Sequence, residues 1–187
     1  MRYVNHTFQG REYRLCCTAD ALFTLYEKKG YTDNIVEDLQ LAEATPEGWE
    51  NCCWLYALFA AQGELQRRAM GYEPRTMIAA EDLLRFALPS EVAGIRNAVA
   101  EAMQLAFAAD IPVTEDEEID LVLQEREAAL KKKQGCGRDR SAYIVSCSRL
   151  LGLGVRDALL LTMGEYAEMV DAVTPKNTSG GDLDGLA

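Results

Sequence analysis

The sequence predicts a mainly α protein: a small N-terminal β-hairpin, then a helical domain, then a C-terminal helical module. Three observations predict it. Strand-formers Tyr3, Phe8, Tyr13 and Leu15 flank Gln9-Gly10-Arg11, where Gly10 can take positive φ. From Thr18 onward, apolar residues recur at helical rather than strand spacing. Helix start and stop residues bracket those runs.

Residues 2–17 read as the hairpin, with a loosely fixed register because alternation is imperfect. Thr18 is a helix N-cap, and Ala21, Leu22, Leu25 and Tyr26 form one face up to Gly30. A short helix is expected from Asp33 to about Leu41. Thr45-Pro46-Glu47 combines an N-cap threonine, a proline at the first helical position and an acid in the first turn. The helix it opens is apolar all round, from Trp49 to Ala60, and is expected to be central. Its polar end, Glu64 to Arg68, is expected to leave the core. Residues 71–76 read as a linker, and Ile78 to Ala87 as a helix. Leu88-Pro89-Ser90 restarts the chain into a helix reaching about Ala108, with Val92, Ile95, Val99 and Met103 on one stripe.

Asp110 to Val113 is the expected boundary between a domain over 1–109 and a module over 114–173. Thr114 to Lys133 reads as a helix with acids at its start and lysines at its end, which suits the helix dipole. After the break at Gly135-Cys136-Gly137, helices are expected from Arg138 to Leu151, from Val155 to Leu161, and from the Thr162/Glu165 capping box to about Val173. Residues 174–187 are expected to be a disordered tail.

The chain has 187 residues, 49% of them hydrophobic, and a formal net charge of -11. That supports a real core and argues against a nucleic-acid partner, which calls for a basic face. The longest apolar run, Cys52 to Ala61, falls short of the about 20 residues a bilayer requires, so no membrane partner is expected. The opening MRYVNHTFQG is polar and strand-like, so no secretory leader is expected. Reduced thiols and a cytoplasmic location follow as expectations.

Chemistry is hard to find. The only histidine is His6, so any Cys-His or Ser-His dyad would have to use it, and Asn5 and Thr7 lend no support. Cys16-Cys17 and Cys52-Cys53 are vicinal, not spaced as zinc ligands are. Cys136 and Cys147 lack a partner of standard spacing. Buried cysteines acting as small hydrophobes are the expected reading. Gly152-Leu153-Gly154 follows no strand and is no dinucleotide turn. A helix-turn-helix over 138–161 would present an apolar second helix, unfit for reading bases. No metal, no cofactor and no catalytic residue is expected. What remains is a leucine- and methionine-rich C-terminal stretch. Packing against the main domain is one reading of it. The other is a partner-helix face, for which Leu153, Leu159, Tyr166 and Met169 are the candidate contacts.

The order of elements resembles the tail assembly chaperones of long-tailed bacteriophages and prophages. A short strand, the Gly10 turn, a strand ending Arg14-Leu15, then a helix with Leu22, Tyr26-Glu27 and a closing Gly30 look like that family's "G-x-x-Y-x-L … E-x-x-G" opening. The helix from Trp49 to Gly63 follows. Leu151-Gly152-Leu153, Asp157-Ala158 and Leu161-Thr162 through Glu165-Tyr166 are similar to its closing "G-L-s … L-T-x-x-E-l" segment. The likeness spans most of residues 1–172, on hydrophobic and turn positions. The helix expected over 114–133 is longer than the family pattern. The resemblance implies no catalysis. It implies a protein of the host bacterial cytoplasm that keeps the tape measure protein soluble, helps tail tube subunits assemble, and leaves before the tail is complete. Two rival classes stand beside it. A structural tail or virion adaptor would be present in mature particles at fixed copy number. A redox protein would use its cysteines.

Overall fold

The structure is a computed structural model that describes residues 2–30, 34–109 and 139–174. The chain begins with strands β1 (Val4–Phe8) and β2 (Arg11–Leu15), paired antiparallel with Val4 opposite Leu15 and Phe8 opposite Arg11. Gln9 and Gly10 both take positive φ, 49° and 74°. A two-residue turn of that kind matches the right-handed twist of the strands. This fixes the register that alternation left loose. Val4, His6 and Phe8 share one face with Tyr13 and Leu15, and that face meets the helices.

Helix α1 (Ala19–Lys29) starts where Thr18 Oγ1 accepts from the Ala21 amide. It stops at Gly30, whose φ of 85° few other residues tolerate. Ala21, Leu22 and Leu25 are buried as expected, and so are Ala19 and Phe23 on the other side. Helix α2 (Ile35–Asp38) is shorter than expected, because Gln40 turns left-handed at φ 52°. Leu39 and Leu41 are buried all the same.

Helix α3 (Pro46–Ala69) is the central element and packs on β2, α1 and the next two helices. Thr45 caps it through the Gly48 amide. Its polar end does not leave the core: Glu64 and Gln66 are buried. Gln66 Nε2 donates to the Leu160 carbonyl at 3.0 Å. Glu64 accepts from Arg67 Nε, Arg68 Nε and the Arg75 amide. The expectation failed because this end of α3 meets the Leu160 carbonyl and the Arg75 amide, both supplied from outside the helix. Burial pushes the Glu64 carboxyl up, but the Arg75 amide and the two guanidinium groups together hold it below its ordinary value of 4.5. The stabilisation it brings is therefore complete above pH 4.5 and is lost as pH falls through the depressed value. Urea unfolding at several pH values should show Glu64→Gln weaker than the native protein at neutral pH, with the gap closing in acid. A gap independent of pH would mean the carboxylate's charge contributes nothing.

Helices α4 (Ala80–Phe86) and α5 (Pro89–Phe107) follow. Asp82 and Glu91 each cap their helix by accepting a backbone amide, from Ala79 and Leu88. The expected α5 stripe is present: Ile95, Val99 and Met103 are buried and Val92 half-buried, with Ala98, Ala102 and Ala106 beside them.

The C-terminal helices are α6 (Arg140–Leu151), α7 (Val155–Leu160) and α8 (Met163–Val173). Gly152 ends α6 at φ 67°. Thr162 and Glu165 cap α8 reciprocally, at 3.2 and 3.0 Å, as their spacing predicts. The Thr174 amide closes α8 by donating to the Val170 carbonyl at 3.0 Å. The expected boundary at 110–113, the charged helix over 114–133, Cys136 and the tail over 175–187 lie outside the described residues.

Buried residues form two clusters. The larger joins the hairpin to α1 through α5. The smaller comprises Ala19, Phe23, Tyr143, Cys147 and Ala158. Helix α1 thus lies between the two and contributes to both, which explains its second buried face. No helix among the described residues is long and apolar enough to cross a membrane.

Candidate functional site

The C-terminal helices are joined to the larger body at several points. The Ala19 amide donates to the Leu161 carbonyl at 2.7 Å. Arg140 pairs with Asp20, which also accepts from Gln62 Nε2 at 2.8 Å. Arg2 pairs with Glu168. At Gly164 the chain sits directly against the Ala108 carbonyl, where an added Cβ would lie 1.8 Å from the oxygen.

This arrangement divides the four expected partner contacts. Leu153, Leu159 and Tyr166 are half-buried and pack on the smaller cluster. The Tyr166 hydroxyl is 2.8 Å from Ser146 Oγ, and its ring lies 5.1 Å from that of Tyr143. Tyr143 is itself buried, donates to the Ala158 carbonyl at 3.0 Å, and is driven strongly upward in pKa by burial. Met169 stands apart at 41% exposed. Val173, four residues on and hence on the same face of α8, is exposed too. Val145, Leu150 and Val155 add further exposed apolar side chains to this module.

A second exposed apolar group escapes sequence reasoning. Leu84, Phe86 and Leu88 all face outward where α4 passes into α5. Helix α4 is seven residues long and buries Leu83 completely. Leu84 points about 100° away from Leu83, so the two cannot share the buried side. The run of Leu83, Leu84, Phe86 and Leu88 in so short a stretch was the available signal: it holds more apolar residues than one side can cover.

The polar candidates have settled surroundings. His6 Nδ1 is 2.9 Å from the Tyr56 hydroxyl, and the two rings meet edge-on. Burial lowers the His6 pKa, with Glu91 opposing, so the ring is neutral near pH 7. It partners a buried tyrosine at the contact between the hairpin and α3.

Cys16, Cys17, Cys52, Cys53 and Cys147 are buried and unbridged. Burial pushes Cys16 and Cys53 up to about 12 and Cys52 to about 11. Cys17 is driven up as well. Thiols so placed are protonated at neutral pH and poor nucleophiles. Among the described residues, no three histidine, cysteine, aspartate or glutamate side chains converge as a metal-binding group. The arrangement offers apolar contact surface on an acidic body. Comparison of the chain with family models, with curated proteins and with solved structures gives no match.

Proposed function

We propose that this chain is a phage or prophage tail assembly chaperone that transiently covers apolar helical segments of the tape measure protein, with tail tube subunits as a second partner. The observation that carries the reading is the pairing of exposed apolar side chains (Met169 and Val173 on α8, Leu84, Phe86 and Leu88 at the α4–α5 junction) with a chain charge of -11. A long helical protein with apolar stripes aggregates without cover. An acidic binder supplies contact area and adds repulsive charge to the complex. The resemblance in element order and turn positions supplies the identity of the partner.

The test is co-expression with the tape measure protein of the same phage or prophage, followed by a pull-down. The reading requires that protein to become soluble and to co-purify with this chain. If it stays insoluble and unbound, the chaperone reading fails and the structural-adaptor reading takes its place.

Surface substitutions localise the contact. Met169→Asp and Phe86→Asp change exposed side chains, so stability should move by no more than about 0.5 kcal/mol. Loss of an apolar anchor should weaken partner binding by roughly tenfold or more. Leu153→Asp and Leu159→Asp differ, because they place a charge beside the smaller cluster and should lower the melting temperature as well. Native-like binding by both Met169→Asp and Phe86→Asp would exclude these two surfaces.

A further inference from the structure

A concavity of about 500 Å³ lies between β2, α3 and the segment over 74–77. That is within the range of small-molecule sites, roughly 300–1,000 Å³. In a chain of charge -11, its lining is basic: Arg11 and Arg14 from β2, Arg67 from α3 and Arg75 from the covering segment, against Glu12 and Glu64.

The two acids do not cancel this charge. Glu64 is buried, and its oxygens are occupied by Arg67, by Arg68 and by the Arg75 amide. It ties the covering segment to α3. Glu12 approaches Arg75 Nη1 only to 4.0 Å, with both side chains more than half exposed. An ion pair so exposed is weak and readily exchanged. Arg14 is held with its guanidinium carbon 3.9 Å above the Tyr3 ring, and its Nε is buried without a hydrogen-bond partner. Arg14 also lines the cavity, where an oxyanion is the group a guanidinium pairs with best. Met77 gives the cavity an apolar wall.

We propose that this cavity binds a small organic oxyanion, a carboxylate- or phosphate-bearing molecule whose apolar portion rests on Met77. Arg11, Arg14 and Arg75 hold the anionic group, and Arg67 with Glu64 keeps the covering segment in place. Guanidinium groups suit this because their N–H pairs match two oxygens of one carboxylate or phosphate. The site is independent of the partner-helix reading and lies on different elements from α8.

The test titrates the full chain with citrate and, separately, phenyl phosphate, using sodium chloride at matched ionic strength as the control. Calorimetry gives the affinity and amide NMR gives the location. Binding at millimolar affinity or tighter is expected, with shifts concentrated at residues 11–14 and 75–77. Response to one probe alone assigns the class of oxyanion. The double variant Arg11→Gln/Arg75→Gln alters two exposed side chains and should lose at least tenfold in affinity, while Arg149→Gln, exposed on α6, should bind as the native chain does. If neither probe at about 10 mM shifts those amides beyond the chloride control, or if the double variant binds undiminished, the proposal is overturned.

Discussion

Replacing Gly63 by alanine is expected to destabilise the protein by about 3–5 kcal/mol, against the usual sign of such a change. In a helix interior, glycine to alanine normally stabilises by about 1 kcal/mol, because alanine restricts the unfolded chain and suits the helix. Gly63 lies well inside α3, so propensity alone predicts a gain. The packing reverses it. A Cβ at Gly63 would lie 1.9 Å from the Arg14 carbonyl oxygen and 2.7 Å from its carbon. Both are backbone atoms, so no side-chain rotation relieves the contact. The hairpin cannot shift freely either. The Cys16 amide donates to the Phe59 carbonyl at 3.0 Å, and Phe59 lies four residues before Gly63 on the same side of α3. Leu15 and Cys16 beside it are fully buried. Relief therefore means lifting β2 off the central helix and opening the larger cluster. The measurement is thermal or urea unfolding, where roughly 10 °C or more of melting temperature should be lost. A variant as stable as the native chain would show that the hairpin is not held against α3 at this point.

Which features were legible in the sequence follows from how local their causes are. Thr45-Pro46 and Thr162/Glu165 announce helix starts because capping involves neighbours within four residues. Gly10, Gly30 and Gly152 mark turns because their positive φ is a property of the residue's own backbone. The α5 stripe is legible because its period is that of the helix. The second buried face of α1 was not legible. Ala19 and Phe23 are covered by α6 and α7, and nothing near residue 19 says that those helices will return to it. Gln66 misled for the same reason: its partner carbonyl belongs to Leu160. At the candidate site, leucine and methionine content located an apolar module but could not divide it. Leu153, Leu159 and Tyr166 pack on the smaller cluster and Met169 faces outward, because which side of a segment is covered is set by the neighbour it meets. The basic cavity was invisible because its arginines are scattered through an acidic sequence and gathered only by the approach of β2 to α3.

Gly164→Ala should detach the C-terminal helices from the larger body while leaving that body folded. The added Cβ would lie 1.8 Å from the Ala108 carbonyl oxygen and 2.3 Å from Arg2 Nη1. Arg2 is flexible, but the carbonyl at the end of α5 is not. Moving α8 away pulls on the Arg2–Glu168 pair and, through Thr162, on the Leu161 carbonyl that receives the Ala19 amide. A cost of about 2–4 kcal/mol is expected, confined to the smaller cluster because the larger one is built mainly by the hairpin and α1 to α5. Hydrogen exchange resolved by residue distinguishes the two regions. Protection of the Ala19 amide should fall, while that of the Cys16 amide, bonded to Phe59, should persist. Equal loss at both would mean that the two clusters open as one unit. The same variant bears on the partner. Detachment frees the sides of Leu153, Leu159 and Tyr166 that now pack on the smaller cluster. A partner helix that uses those sides must displace the native packing, and its apparent affinity is reduced by the small fraction of molecules already open. Under the proposed chaperone function, Gly164→Ala removes that penalty, so tighter capture of the proposed partner would place its site beneath the module. Unchanged capture, joined to a loss with Met169→Asp, would place it on the outer face of α8.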